Sequence, residues 1–106
     1  MFFSIYDNFQ VNRGHSLIFS NLHVSNFFDL SNEKYAILDM LSQMKEILMK
    51  KLNPNGFNIG INIDKNCRTI NHVHIHLITR HKDDVVDPTG GVRNIIPGKG
   101  NYTLIH

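Results

Sequence analysis

Apolar residues at Ile37, Leu41, Met44 and Leu48 recur at steps of four, three and four, with Leu38 and Ile47 widening the stripe. That period lines them up on one face of an amphipathic α-helix within LSNEKYAILDMLSQMKEILMKKLNPNG. Ser31 is placed to cap its first turn, Glu33 suits the positive end of the helix dipole, and Lys50 and Lys51 suit the other end. Asn53, Pro54, Asn55 and Gly56 stop it. The period then shortens to two: in FNIGINI, Phe57, Ile59, Ile61 and Ile63 alternate with Asn58, Gly60 and Asn62, a half-buried strand.

After the turn-like DKNC, the segment RTINHVHIHLITR alternates again. Thr69, Asn71, Val73, Ile75 and Leu77 share one parity; Ile70, His72, His74, His76 and Ile78 share the other. The two alternating segments are expected to pair as an antiparallel hairpin, with its aliphatic face on the helix and its asparagine and histidine face left open. Upstream, FFSIY (2–6) and SLIFS (16–20) read as two more strands joined by DNFQVNRGH. Downstream, HKDDVVDPTGGVRNIIPGKGNY reads as a loop with one edge strand at VRNII. The expected class is α+β, mainly antiparallel, in a single domain over 1–106.

Composition narrows the partners. The 106 residues are 42% hydrophobic and 19% charged, and no apolar run approaches the ~20 residues of a membrane span. A net charge of +2, with no basic run beyond Lys50-Lys51, gives no footprint for a nucleic-acid polymer. MFFSIY lacks the basic start and small-residue cleavage site of a secretory signal and is read as part of the fold. The single cysteine, Cys67, forms no intramolecular disulfide, which agrees with a cytoplasmic location.

Three histidines at every second position of one strand lie about 7 Å apart at successive Cα atoms, from a rise of ~3.3 Å per residue, and can converge on one small ligand. Two chemistries compete. Histidines at alternating strand positions supply zinc ligands, and His15, His23 or His81 could complete a set, yet no carboxylate or thiolate partner stands out beside them. Alternatively, a neutral imidazole attacks phosphorus when its second nitrogen is held as N–H, and a neighbouring histidine can neutralise phosphate oxygens. The turn NIDKNCRT would supply the donors this needs.

HVHIHLI resembles the signature of the histidine triad (HIT) family, His-φ-His-φ-His-φ-φ with φ apolar, at all seven positions. GHSLIFSNLHVSNFFDLS is similar to the family's Gly-His strand and the His-Val-Ser turn into the helix, GFNIGIN to the strand before the triad, and DPTGGVRNIIP to the tails of small bacterial members. The family's usual opening helix and hairpin are expected to be short or missing ahead of FFSIYD. The resemblance implies a HIT-like antiparallel sheet with one main helix packed on one face. It also implies a nucleotide-binding hydrolase that attacks the α-phosphate of dinucleoside polyphosphates or nucleoside phosphoramidates through a nucleotidyl-histidine.

Carried over by position, His74 is the nucleophile, His76 contacts the phosphate and supports the leaving group, and His72 and His15 orient the nucleophile. Asp7 matches the residue that binds ribose hydroxyls, Asn62 the amide on the phosphate, and Thr69 the Ser or Thr before the triad. Ile5, Ile18 and Phe19 are expected to line the nucleoside pocket. The family's Gly-Gln-Ser/Thr-Val reads Cys67-Arg68-Thr69-Ile70 here. A Cβ at Cys67 narrows the backbone approach to phosphate, and the Arg68 guanidinium can compensate or point to solvent. No cofactor is expected beyond Mg²⁺ carried with a polyphosphate, for which Asp83 and Asp84 are a candidate site. Arg93 is either a surface strand residue or a second phosphate contact, His23, His81 and His106 are read as surface histidines, and a homodimer is expected by resemblance. The competing classes are a nucleotide binder without turnover and a histidine-ligated metalloprotein.

Overall fold

The period-two segments fold as the alternation dictates, and one helix covers a single face of the sheet they form. The computed structural model describes residues 2–20, 26–63 and 73–104. In chain order these give β1 (Phe2–Tyr6), β2 (Ser16–Ser20), a 3-10 turn (Phe27–Asp29), α1 (Glu33–Leu52), β3 (Gly56–Ile61), β4 (His74–Arg80) and two further 3-10 turns, Gly91–Ile95 and Tyr102–Leu104. The strands make one antiparallel sheet in the order β1-β2-β4-β3. The class is α+β, as the periodicity implies.

Register sorts the side chains. Ser16, Ile18, Ile75 and Leu77 pair on the face beneath α1, and β3 adds Phe57, Ile59 and Ile61 to it. Leu17 pairs with His76 and Phe19 with His74 on the opposite face, where Gly60 lies across from His76. Ile37 packs with Ile18, Leu30, Val73 and Ile75, while Met44 and Leu48 pack with Leu77. Leu48 is fully buried, and burying such a side chain contributes about 1.5–3 kcal/mol.

Several local expectations are corrected. Leu38 and Ile47 are exposed, so the buried stripe is narrower than the sequence suggests. Ser31 does not cap a helical N–H with its hydroxyl; its Oγ and backbone N–H both donate to Glu33 Oε2, at 2.8 and 2.9 Å, and its carbonyl accepts from Lys34. At the other end Asn53 takes the left-handed conformation (φ 46°) and donates to Met49 O, so the chain reverses into β3. Gly91–Ile95 is a 3-10 turn and not an edge strand, because no strand partner lies beside it among the described residues. Arg93 is not a strand residue: its Nε donates to Gly100 O at 2.9 Å and its guanidinium lies over Tyr102, bracing the tail. No helix among the described residues is long and apolar enough to cross a membrane.

Candidate active site

Asp7, just past β1, His15, just before β2, and His76, on the adjoining β4, are brought together by the sheet. The antiparallel ladder sets their spacing: Tyr6 pairs with Ser16, and the Asp7 N–H donates to His15 O at 2.9 Å. His15 Nε2 lies 2.9 Å from His76 Nδ1 and 3.5 Å from Asp7 Oδ2. His74 and His76 meet edge to face with ring centroids 5.1 Å apart, and Phe19 stacks on His74 at 5.5 Å.

These contacts fix protons. The backbone N–H of Val11 donates to His15 Nδ1 at 3.3 Å, so in the neutral ring that nitrogen keeps its lone pair and Nε2 carries the hydrogen. The same Nε2–H then donates to His76 Nδ1, which places the hydrogen of neutral His76 on Nε2. A chain of two tautomers thus runs from a backbone amide to His76. Burial pushes the pKa values of both His15 and His76 down; for His76 the neighbouring His74 and His15 add to the effect, and Asp7 opposes it in both. Both rings therefore favour the neutral forms that the chain requires.

The connection carrying Val11 is tied to β4 rather than left loose. Asn12 Nδ2 donates to Thr79 O and to Asp84 Oδ2, both at 2.8 Å, and the buried Thr79 hydroxyl donates to Arg13 O at 2.7 Å. Gly14 closes the connection at φ 97°, where an added Cβ would lie 2.6 Å from Leu52 Cδ1, so only glycine lets the chain pass α1 here. Asp84 is also gripped by Arg80, whose Nε and Nη2 donate to its two oxygens at 2.8 and 2.9 Å, while Arg80 Nη1 donates to Asn58. The Arg80 guanidinium and the His81 N–H hold the Asp84 carboxyl well below the usual carboxylate range.

The sequence-derived residues separate accordingly. His74, His76, His15, Phe19 and Ile5 share the open face, and Asp7 joins them. Ile18 does not: it is fully buried in the core under α1, one residue out of parity, and Leu17 takes the place beside His76. Counting by twos from His15 would have found Leu17. Asn62 follows directly on β3 and is half-buried. His72, Cys67, Arg68 and Thr69 lie outside the described residues, as do His23 and His106. Both oxygens of Asp84 accept internal hydrogen bonds, from Asn12, Arg80 and the His81 N–H. Sequence reasoning missed the Val11 amide, for which no side chain could signal, and the Asn12, Thr79 and Asp84 brace, which joins residues more than sixty positions apart.

Space flanks the histidines. No atom of the described residues lies within 4 Å of where a Cβ on Gly60 would be, so among those residues the strand position across from His76 is uncovered. Beyond His76 the same row continues into a cavity of about 300 Å³ lined by Val11, Asn12, Asn58, Ile78, Arg80 and Asn94, among others.

The fold is shared with known proteins. A HIT-like protein of Methanocaldococcus jannaschii is 30% identical over 91 residues, which cover 79% of this chain and 67% of that protein. The crystal structure of a HIT family protein from Bacillus anthracis superposes with a TM-score of 0.73 at 28% identity, covering 78% of this chain and 60% of the other. The NitFhit protein of Caenorhabditis elegans gives a TM-score of 0.75 at 26% identity, over 79% of this chain and 21% of that one. The chain thus spans about 60% of the Bacillus protein's length and a fifth of the nematode protein's. With its histidine row on the open face of the sheet and a match to the HIT domain over residues 1–83, the chain belongs to the HIT family.

Proposed function

We propose that the chain cleaves nucleotidyl substrates at the α-phosphate, with His74 as nucleophile and a nucleotidyl-histidine as intermediate. The observation that carries this reading is the tautomer chain from Val11 through His15 to His76. It assigns different tasks to neighbouring rings. His76, with its hydrogen on Nε2, is a donor for phosphate oxygens and is not a nucleophile at that atom. His74, nearly buried against Phe19 and edge-on to His76, is the ring assigned to attack.

In the first step a lone pair of His74 forms an N–P bond while the bond from the α-phosphorus to the leaving group breaks; a dinucleoside polyphosphate releases the remaining nucleoside polyphosphate as an anion, and a phosphoramidate releases its amine with a proton from the His76 Nε2–H, which the water of the next step returns. In the second step water forms a P–O bond, the N–P bond breaks, and the nucleoside monophosphate leaves with His74 restored. Ile5, Leu17 and Phe19 supply apolar surface for the nucleoside, Asp7 reaches the ribose hydroxyls, and Asn62 and Thr69 hold phosphate oxygens. Arg68 and the Cys67 amide would complete the phosphate cradle, and His72 the orientation of His74. The cavity beyond Ile78 would take the part of the substrate past the scissile bond. Mg²⁺ would travel with a polyphosphate substrate.

The test is a panel of dinucleoside polyphosphates and nucleoside phosphoramidates, followed by nucleoside monophosphate release. His74→Ala is expected to lower turnover roughly a thousandfold or more while retaining nucleotide binding. Saturable binding without product in the unaltered protein would instead make it a nucleotide binder.

A further inference from the structure

We propose that the face of the molecule away from the histidines carries a second binding site, for a small phosphate-bearing anion, between the C-terminal end of α1 and the connection from β1 to β2. A concave space of about 420 Å³ opens there, lined by Tyr6, Gln10, Arg13, Gly14, Lys51 and Leu52. Tyr6 pairs with Ser16 on the face beneath α1, so its side chain stands on the opposite side of the sheet from the histidine row. At the base of this space, Gly14 lets the connection pass close against Leu52.

The polar groups around this space select an anion. The Gly14 N–H donates to Gln10 Oε1 at 2.9 Å, and because a backbone N–H can only donate, the unengaged end of that amide is its NH₂. Neither the Arg13 guanidinium nor the Lys51 ammonium has a hydrogen-bond or ion-pair partner among the described residues, and both side chains are exposed. Each carries donors and no acceptor, and the Tyr6 hydroxyl can donate as well. No carboxylate among the described residues lines the space, and Asp7, next to Tyr6 in the chain, is engaged by His15 and the Phe9 N–H. The C-terminal end of α1 opposes an anion with roughly half a negative charge, which the two full positive charges outweigh.

Size widens the choice beyond a single phosphate. The space falls in the range of roughly 300–1,000 Å³ typical of small-molecule sites, enough for a diphosphate or a nucleotide. The Tyr6 ring, 45% exposed, and Leu52 offer apolar surface for the body that such a phosphate carries. The site also touches the connection that serves the histidines. Gln10 precedes Val11 and Gly14 precedes His15, so an anion held by Gln10 and Arg13 grips the segment whose Val11 N–H donates to the His15 ring.

This site does not depend on the catalytic reading, and its test measures binding without turnover. Isotope-labelled chain is titrated by NMR with pyrophosphate and, separately, with a nucleoside 5′-diphosphate, which share one diphosphate group. Either probe can also reach the histidines, so the position of the shifts decides. The expected result is saturable shifts at the Lys51 and Leu52 backbone amides and the Gln10 side-chain amide, with a Kd below about 1 mM. The double substitution Arg13→Gln with Lys51→Gln, checked for folding by circular dichroism, should weaken binding at these positions at least about tenfold. A nucleoside diphosphate that binds at least about fivefold tighter than pyrophosphate and shifts the Tyr6 ring identifies a nucleotide as the occupant; equal affinities identify the inorganic anion. Absence of saturable shifts at the end of α1 with both probes, or binding there that the double substitution leaves unchanged, overturns the proposal.

Discussion

The hydrogen on His76 is decided by a backbone amide two hydrogen bonds away from it through His15, and this makes the site sensitive to proton uptake at either ring. Burial lowers both pKa values from the ordinary 6.5, so each ring should titrate below that pH. The sign for stability follows. The unfolded chain binds protons on these residues before the folded chain does, so their contribution is present above about pH 6.5 and is lost as the pH falls through the folded values. Nitrogen-detected NMR titration is expected to show Nε2–H tautomers for His15 and His76 at neutral pH and midpoints below 6.5. In Asp7→Asn, which removes the carboxylate that opposes the shift, both midpoints should move lower still. A midpoint above 6.5 for either ring in the unaltered protein would contradict the arrangement. The side chains of this network were legible one by one, since the histidine row and Asp7 stand out in the sequence. What holds them was not, because a main-chain donor carries no letter and the brace joins positions that only the fold makes neighbours.

The strands and helix were legible because each has a clean period and a clear stop. The two strands of FFSIY and SLIFS, the helix ending at Leu52 and the hairpin of β3 with β4 all lie where alternation and punctuation place them. The tail has neither, and its short apolar run at VRNII pairs with nothing among the described residues and turns as a 3-10 helix. The connection between β1 and β2 was read only as a link, yet it positions His15. Thr79 is its anchor: the hydroxyl is buried and donates to Arg13 O. Thr79→Val keeps the shape but removes that donor, and a buried carbonyl without a partner costs about 1–3 kcal/mol. Urea denaturation is expected to show a loss of that size. Nucleotide turnover should fall as well, because the Val11 amide loses its support; unchanged stability would mean that water replaces the bond.

At the scale of the molecule, α1 packs over β1, β2 and β4 and leaves the helix-side face of the outer strand β3 incompletely covered. Ile59 is 54% exposed there and Leu38 61% on the helix, apolar surface that a second copy of the chain could bury. A homodimer through this flank is expected, and light scattering after size exclusion should report twice the chain mass at micromolar concentration. Ile59→Lys should shift the protein toward monomer, and a monomer in the unaltered chain would remove this reading. One further property follows from the brace. Asn12 and Arg13 are fastened to the same strand that carries His74 and His76, so the ring of His15 is referenced to β4 and not to the outer edge of the sheet. Fraying of β1, the strand at that edge, therefore leaves the proton alignment intact, and the protein trades rigidity at its rim for constancy at its centre.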